Sequence, residues 1–219
     1  MTRSLLLGHR GAGAFRQIPE NTLASFELCL EQGCDGFEFD VRRSGDGKAV
    51  ICHDSTAGGV KIAATPSRSL PVPSLEDVLR QFADRAFLDI ELKVAGLESQ
   101  TLSEVRKHPP QKGYVVSSFL PEVLAAIHDL DQAIPLGFLC ETKDQLRAWP
   151  QSPAQWVIPH SELADRNLVD LVHAAGHRIM VWTVNRARRM HELAEWGVDA
   201  IISDETQLLV RTLAVTAPR

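Results

Sequence analysis

Two histidines, His9 and His53, each follow a short apolar run, and three carboxylates, Glu38, Asp40 and Glu91, stand inside two others. Imidazole is the side chain best suited to move protons near neutral pH, so the histidines fit acid and base roles. In a strand, successive side chains face opposite ways. Glu38 and Asp40 therefore share one face while Phe37, Phe39 and Val41 take the other, and Glu91 and Lys93 repeat the arrangement against Ile90 and Leu92. Like charges gathered out of water cost on the order of several kcal/mol each unless something neutralises them. One neutraliser is a hard divalent cation held through oxygens, Mg²⁺ or Ca²⁺, because no Cys or His cluster stands at zinc spacing. The other is a metal-free salt-bridge network in which Arg10 and Lys93 pair with the three acids.

The remaining polar residues read more plainly. His108, His128, His173, His177 and His191 fall in helices or at their ends, whereas His160, after a strand and beside Pro159, is a candidate substrate contact. Arg186, Arg188 and Arg189 open a helix as a solvated basic face. Cys52 closes an apolar run and reads as core, and Asn21-Thr22 reads as a helix cap.

Positioning these groups requires elements, and the chain alternates short apolar runs with amphipathic stretches throughout. Candidate strands are 5–7, 37–41, 87–92, 114–117, 135–139, 156–158, 178–183 and 200–203. Helical stripes lie between them, as at Leu75, Val78, Leu79 and Phe82 after a Ser74/Asp77 cap, and at Leu120, Val123, Leu124 and Ile127 with Pro121 in the first turn. Gly33, Gly176 and Gly197 mark helix ends. Eight βα units in about the minimum length for the architecture predict a compact (βα)8 TIM barrel, with a doubly wound sheet as the competing α/β fold. The one irregularity is a hairpin-like excursion at 49–52 followed by a loop at 55–73. A barrel places its active site at the C-terminal ends of the strands. His9-Arg10, Glu38, Asp40, His53, Glu91, Lys93 and Trp182 all fall at such positions.

The 219 residues, 44% hydrophobic and 23% charged, suit a single domain spanning 1–219. A net charge of −5 offers no global field for nucleic acid or an anionic membrane. No stretch approaches the length of a membrane span, and the apolar run within Met1–His9 is too short for a signal peptide. Four cysteines without density or ligand-like spacing read as reduced thiols in a cytoplasmic protein. No oligomeric interface can be read from the sequence.

An ordered series of motifs then stands out: His9-Arg10-Gly11, Pro19-Glu20-Asn21-Thr22, Glu38-Phe39-Asp40-Val41, His53-Asp54, Glu91-Leu92-Lys93, Ser117-Ser118-Phe119, Trp182-Thr183-Val184-Asn185 and Gly197-Val198-Asp199. In this set the chain resembles the glycerophosphodiester phosphodiesterase family along nearly its whole length. The resemblance implies a (βα)8 barrel that uses a divalent cation to hydrolyse small-molecule glycerophosphodiesters to glycerol 3-phosphate and an alcohol. It implies acid-base roles for His9 and His53, metal ligation by Glu38, Asp40 and Glu91, and phosphate contacts from Arg10 and Lys93. Many members carry an acidic-Arg-Thr-Thr-like segment and a longer insertion after the His-Asp pair, where this chain has a short stretch with Gly58-Gly59. A more open mouth would admit lysophospholipid-like diesters along an apolar wall of Phe119 and Trp182, residues that equally suit the core. The competing functions are therefore a lysophospholipase D activity and a non-catalytic barrel that binds phosphodiesters.

Overall fold

The computed structural model describes residues 3–13 and 17–213, so Met1 and Thr2 of the N-terminal run lie outside the described residues. Strands β1 (Leu5–Gly8), β2 (Gly36–Arg43), β3 (Ala49–Ile51), β4 (Thr56–Ala57), β5 (Val60–Lys61), β6 (Phe87–Leu92), β7 (Tyr114–Ser118), β8 (Leu136–Cys140), β9 (Trp156–Pro159), β10 (Arg178–Val181) and β11 (Ala200–Ser203) alternate with helices. The helices are α1 (Leu23–Glu31), α2 (Leu75–Phe82), α3 (Glu98–Lys107), α4 (Pro121–Leu130), α5 (Lys143–Ala148), α6 (Arg166–Ala174), α7 (Ala187–Trp196) and α8 (Thr206–Leu213). β1 pairs in parallel with both β2 and β11, which closes the sheet and excludes the open, doubly wound alternative. The eight parallel strands β1, β2 and β6 to β11 form the barrel, and β3 lies antiparallel on β2 as the excursion.

Strand alternation sorts the side chains into two cores. Leu7, Phe87, Val115, Trp156, Ile158 and Met180 fill the inside of the barrel, while Phe37, Phe39, Val41, Leu88, Ile90 and Leu92 pack outward with the helices. Behind β2 the outward face meets an aromatic cluster. Phe26 stacks on Phe37 at 4.3 Å between ring centroids, and Phe82 meets Phe37 edge-on at 5.2 Å. Such pairs add about 0.5–1.5 kcal/mol beyond the area they bury, and here they hold the strand whose other face carries Glu38 and Asp40. β2 also runs tight against β6: a Cβ on Gly36 would stand 1.9 Å from the Phe87 carbonyl oxygen.

The predicted helix signals are realised. Ser74 and Asp77 form a reciprocal capping box on α2, Pro121 opens α4, and Gly197 ends α7 in the left-handed conformation at φ 84°. The segment 55–73 departs from the predicted plain loop. β4 and β5 turn on Gly58 and Gly59, both at positive φ, and two 3-10 turns follow at Ile62–Ala64 and Ser67–Ser69. Its buried Ile62 and Leu70 pack with Val50 of β3 as a small separate core. The strand expected at 178–183 stops at Val181, and beyond it only an isolated bridge joins His160 to Trp182.

Candidate active site

The end of β1 turns sharply to present His9 and Arg10. A Cβ on Gly8 would meet the Gly11 carbonyl oxygen at 2.2 Å, so the turn requires the bare glycine. Arg10 and Asn21 both hold left-handed backbones, with φ of 53° and 56°, a conformation that costs energy in residues with a Cβ and clusters at functional sites. These strained positions serve the carboxylates. The Arg10 N–H donates to Glu38 Oε2 at 3.0 Å, the Asn21 Nδ2 group donates to Asp40 Oδ2 at 2.8 Å, and the Asp40 N–H donates to Asn21 Oδ1 at 3.2 Å.

The register of β2 on β6 sets Glu38 beside Asp89 and Asp40 beside Glu91. All four carboxyls are buried. Burial, reinforced by Asp40 and Glu91, raises the Glu38 carboxyl well above the usual range. Burial likewise pushes Asp89 up to about 7 against a hydrogen bond donated by Ser117 Oγ. Glu91 is pushed up to about 7 by burial and the Asp40 charge, against the pull of Lys93. Asp40 goes the other way: burial raises it, but the charges of Lys93 and Arg10 and the Asn21 hydrogen bond together hold it below the ordinary range.

The cations lie where the salt-bridge reading expected them. Lys93 Nζ stands 2.7 Å from Glu91 Oε1 and 3.2 Å from Asp40 Oδ1, and Arg10 Nε is 3.3 Å from Asp40 Oδ2, with Nη1 donating to Glu20 at 2.8 Å. They do not complete the neutralisation. Two cationic side chains face four buried carboxyls, and Glu38 Oε1 has no hydrogen-bond partner. Glu38, Asp40 and Glu91 each offer an oxygen, with these atoms within 4.8 Å of one another. Three converging carboxylates, with Glu38 and Glu91 raised because the protein alone does not stabilise their charge, fit a hard divalent cation.

Both histidines carry an acidic partner. His9 Nδ1 lies 2.7 Å from Asp204 Oδ1, leaving Nε2 facing Glu38 Oε2 at 3.8 Å. Asn185 Nδ2 donates to Asp204 Oδ2 at 2.6 Å, and the Asp204 N–H donates to Asn185 Oδ1 at 3.0 Å. Burial would raise Asp204, but the hydrogen bonds from His9 and Asn185 outweigh it and hold the carboxyl ionised below its usual range. His53, more exposed than His9, has Nδ1 2.9 Å from Asp54 Oδ1.

A cavity of about 280 Å³ collects His9, Arg10, Glu38, His53, Glu91, Lys93, Phe119 and Trp182, with Asp40 buried beside Lys93 and Arg10. Leu139, Glu141 and Ile202 complete its wall, and no residue of 55–73 lines it. Phe119 and Trp182 pack edge-on at 5.5 Å, Lys93 lies over the Phe119 ring, and Trp182 Nε1 donates to the Ile158 carbonyl oxygen at 3.0 Å. They are wall and core at once, resting on the inner-barrel cluster while facing the cavity. Across Trp182 a wider cleft of about 730 Å³ is lined by His160 and by Arg186, Arg188 and Arg189, and it contains none of the clustered carboxylates.

Sequence reasoning gave no site role to Asn21, Asp89, Asp204 or Asn185, although Asn21 and Asn185 stand in its motif series. Thr22, not Asn21, caps α1, which frees Asn21 to orient Asp40. Asp89 carried a usable signal, since it shares the inward face of its strand with Glu91. The pairings of Asp204 with His9 and with Asn185 carried none, because only the closed sheet brings β11 beside β1 and β10.

Fold and site together define a TIM-barrel hydrolase with two acid-paired histidines and a carboxylate cluster able to hold a divalent cation. The family model for the glycerophosphoryl diester phosphodiesterase family matches residues 9–112 and 58–208. The glycerophosphodiester phosphodiesterase of Caldanaerobacter subterraneus subsp. tengcongensis is 25% identical over 238 residues, covering 95% of this chain and 97% of the relative. A solved Oleispira antarctica phosphodiesterase, in complex with the product sn-glycerol-3-phosphate, is 27% identical with a TM-score of 0.83, covering 97% of each chain. A solved Thermotoga maritima glycerophosphodiester phosphodiesterase has a TM-score of 0.84 at 24% identity, covering 96% of this chain and 99% of that one. This chain belongs to the glycerophosphoryl diester phosphodiesterase family.

Proposed function

We propose that the protein hydrolyses polar glycerophosphodiesters to glycerol 3-phosphate and an alcohol such as choline or ethanolamine. The observation that carries this reading is the convergence of His9, His53, Arg10, Lys93 and the carboxylate cluster on one cavity. Glu38, Asp40 and Glu91 would hold Mg²⁺ or Ca²⁺. Bound there, the cation supplies positive charge against the phosphoryl oxygens as negative charge builds on them. Arg10 and Lys93 contact the same phosphate and help hold it in place. One histidine removes a proton from the nucleophile; the other protonates the departing alcohol oxygen, which otherwise leaves as a poor alkoxide. Asp204 fixes the ring of His9 through Nδ1, so that Nε2 is the nitrogen presented to the cavity.

Phe119, Leu139, Trp182 and Ile202 favour a second reading, in which the apolar wall takes the acyl chain of a lysophospholipid and the same groups act as a lysophospholipase D. The complete set of ionisable groups argues against a non-catalytic, phosphodiester-binding barrel. The same proposal reads 1–219 as one working domain in the cytoplasm. The free thiols of Cys29, Cys34, Cys52 and Cys140 support that setting, and no described helix is long and apolar enough to cross a membrane.

The test is release of glycerol 3-phosphate from glycerophosphocholine, first with chelator and then with Mg²⁺ or Ca²⁺ restored, with lysophosphatidylcholine as competitor. Metal-restored release is expected. Preferential turnover of lysophosphatidylcholine would establish the lipid reading, and release that ignores chelation would overturn the role given to the three carboxylates.

A further inference from the structure

α3 buries Thr101, Leu102 and Val105 on its inward face, and on the same face it buries an acid, Glu104, at 8% exposure. Lys107 reaches only one of its oxygens, with Nζ 2.9 Å from Oε1. The other, Oε2, is buried and has no hydrogen-bond partner. A buried carboxylate oxygen left bare is costly. His108, the C-cap residue of α3, follows four residues on. From the first turn of α2, the exposed Glu76 completes the group. Each of the three offers one donor atom, and these atoms lie within 4.8 Å of one another. Two carboxylates against the single Lys107 ammonium leave the cluster net negative.

We propose that Glu76, Glu104 and His108 form a second cation site on the outside of the barrel, selective for borderline divalent metals of the zinc class. The donor set decides the class. Two carboxylate oxygens and one imidazole nitrogen suit Zn²⁺, Co²⁺ or Ni²⁺, whereas the all-oxygen cluster inside the barrel suits Mg²⁺ or Ca²⁺. Three protein ligands leave a coordination position open to water, and the exposure of Glu76 leaves the metal free to exchange with solvent. The cation ties α2 to α3 and satisfies Glu104 Oε2. It has no part in the hydrolysis.

The experiment is equilibrium dialysis of the chelator-stripped full-length protein against Zn²⁺, with bound metal counted by elemental analysis. The chains compared are the wild type, His108→Ala, His108→Gln and Glu38→Gln. The expected result is that both His108 variants lose one equivalent, that Glu38→Gln keeps it, and that Mg²⁺-supported hydrolysis is unchanged in the His108 variants. Loaded with Co²⁺, the wild type should show paramagnetically shifted imidazole proton resonances that His108→Ala lacks. Because His108 is half-exposed, both variants should fold, and circular dichroism checks this. Zn²⁺ binding by both His108 variants equal to the wild type would overturn the site, as would its complete loss in Glu38→Gln.

Discussion

On the arc of the barrel mouth built by β1, β2 and β6, the cavity is lined by His9, Arg10, Glu38, Glu91 and Lys93. On the arc from β7 to β11 it is lined by Phe119, Leu139, Trp182 and Ile202, with the exposed Glu141. The charged arc comes from strands that adjoin in space and are packed from behind by the Phe26, Phe37 and Phe82 cluster. The apolar arc continues the inner-barrel core up to the cavity. The division separates two tasks. Ionisable groups gain strength from a low-dielectric surround, and the apolar arc provides that surround while shaping what can enter.

If the charged arc does the chemistry, the sharpest way to break the division is to remove its proton carriers. His9→Ala and His53→Ala should each lower kcat by about 10²–10⁴-fold with the melting temperature little changed. Near-normal turnover in both variants would move the chemistry elsewhere. Glu38→Gln should act on the metal instead, raising the cation concentration needed for half-maximal activity by about 10²-fold while the metal-free protein loses no stability. The stability expectation follows from removing one of four buried, mutually repelling carboxyls. An unchanged metal titration would take Glu38 out of the ligand set.

Asp204→Asn tests how far the charged arc extends beyond its own strands. Asp204 follows β11, yet it holds His9 across the seam where the barrel closes. Misplacing a reacting group by about 1 Å can cost up to about 10²-fold, so the loss should fall in kcat with KM little changed. Asp204→Glu should restore part of it. A loss confined to KM would make Asp204 a substrate contact and not a positioning residue.

These side chains also show where sequence reading works and where it stops. Period-two alternation was enough to turn Glu38, Asp40 and Glu91 inward and Phe37, Phe39, Ile90 and Leu92 outward, because it depends only on neighbours along one strand. The barrel, its eight strands and the capping box at Ser74 were legible for the same local reason. The pairing of His9 with Asp204 spans 195 positions and depends on closure, which no local pattern encodes. The cap read at Asn21-Thr22 holds at Thr22, while Asn21, with a positive φ of 56°, goes to Asp40 instead, a choice between two uses of a polar residue at a helix start that sequence alone does not make. The hairpin inside 55–73 had a signal in Gly58-Gly59, hidden by how short its strands are.

On the apolar arc, Trp182→Phe keeps a ring against Phe119 but removes the hydrogen bond to the Ile158 carbonyl. Leaving that acceptor bare should cost about 1 kcal/mol of stability. It should shift the preference between glycerophosphocholine and lysophosphatidylcholine more than it lowers kcat on either. A uniform fall in kcat on both substrates would show that the apolar arc serves catalysis as well as selection.

The smallest effect is expected in the excursion, at Asp46, a charged residue that does not line the cavity. Asp46 Oδ1 accepts from Ser44 Oγ at 2.6 Å and from the Ser67 N–H at 2.8 Å, and Oδ2 accepts from Ser67 Oγ at 3.0 Å. The Ser44 and Ser67 hydrogen bonds hold its carboxyl down to about 2. Unfolded, it returns to about 3.9, so the ionised form stabilises the fold fully above that value and the benefit disappears as pH falls through about 2. Asp46→Asn should therefore melt slightly below the wild type near neutral pH, and the gap should close as the pH is lowered from about 4 toward 2. Thermal melts across that range measure it. A gap that stays constant with pH would assign the effect to geometry instead of charge, and a loss of hydrolysis in the same variant would join the excursion to the charged arc.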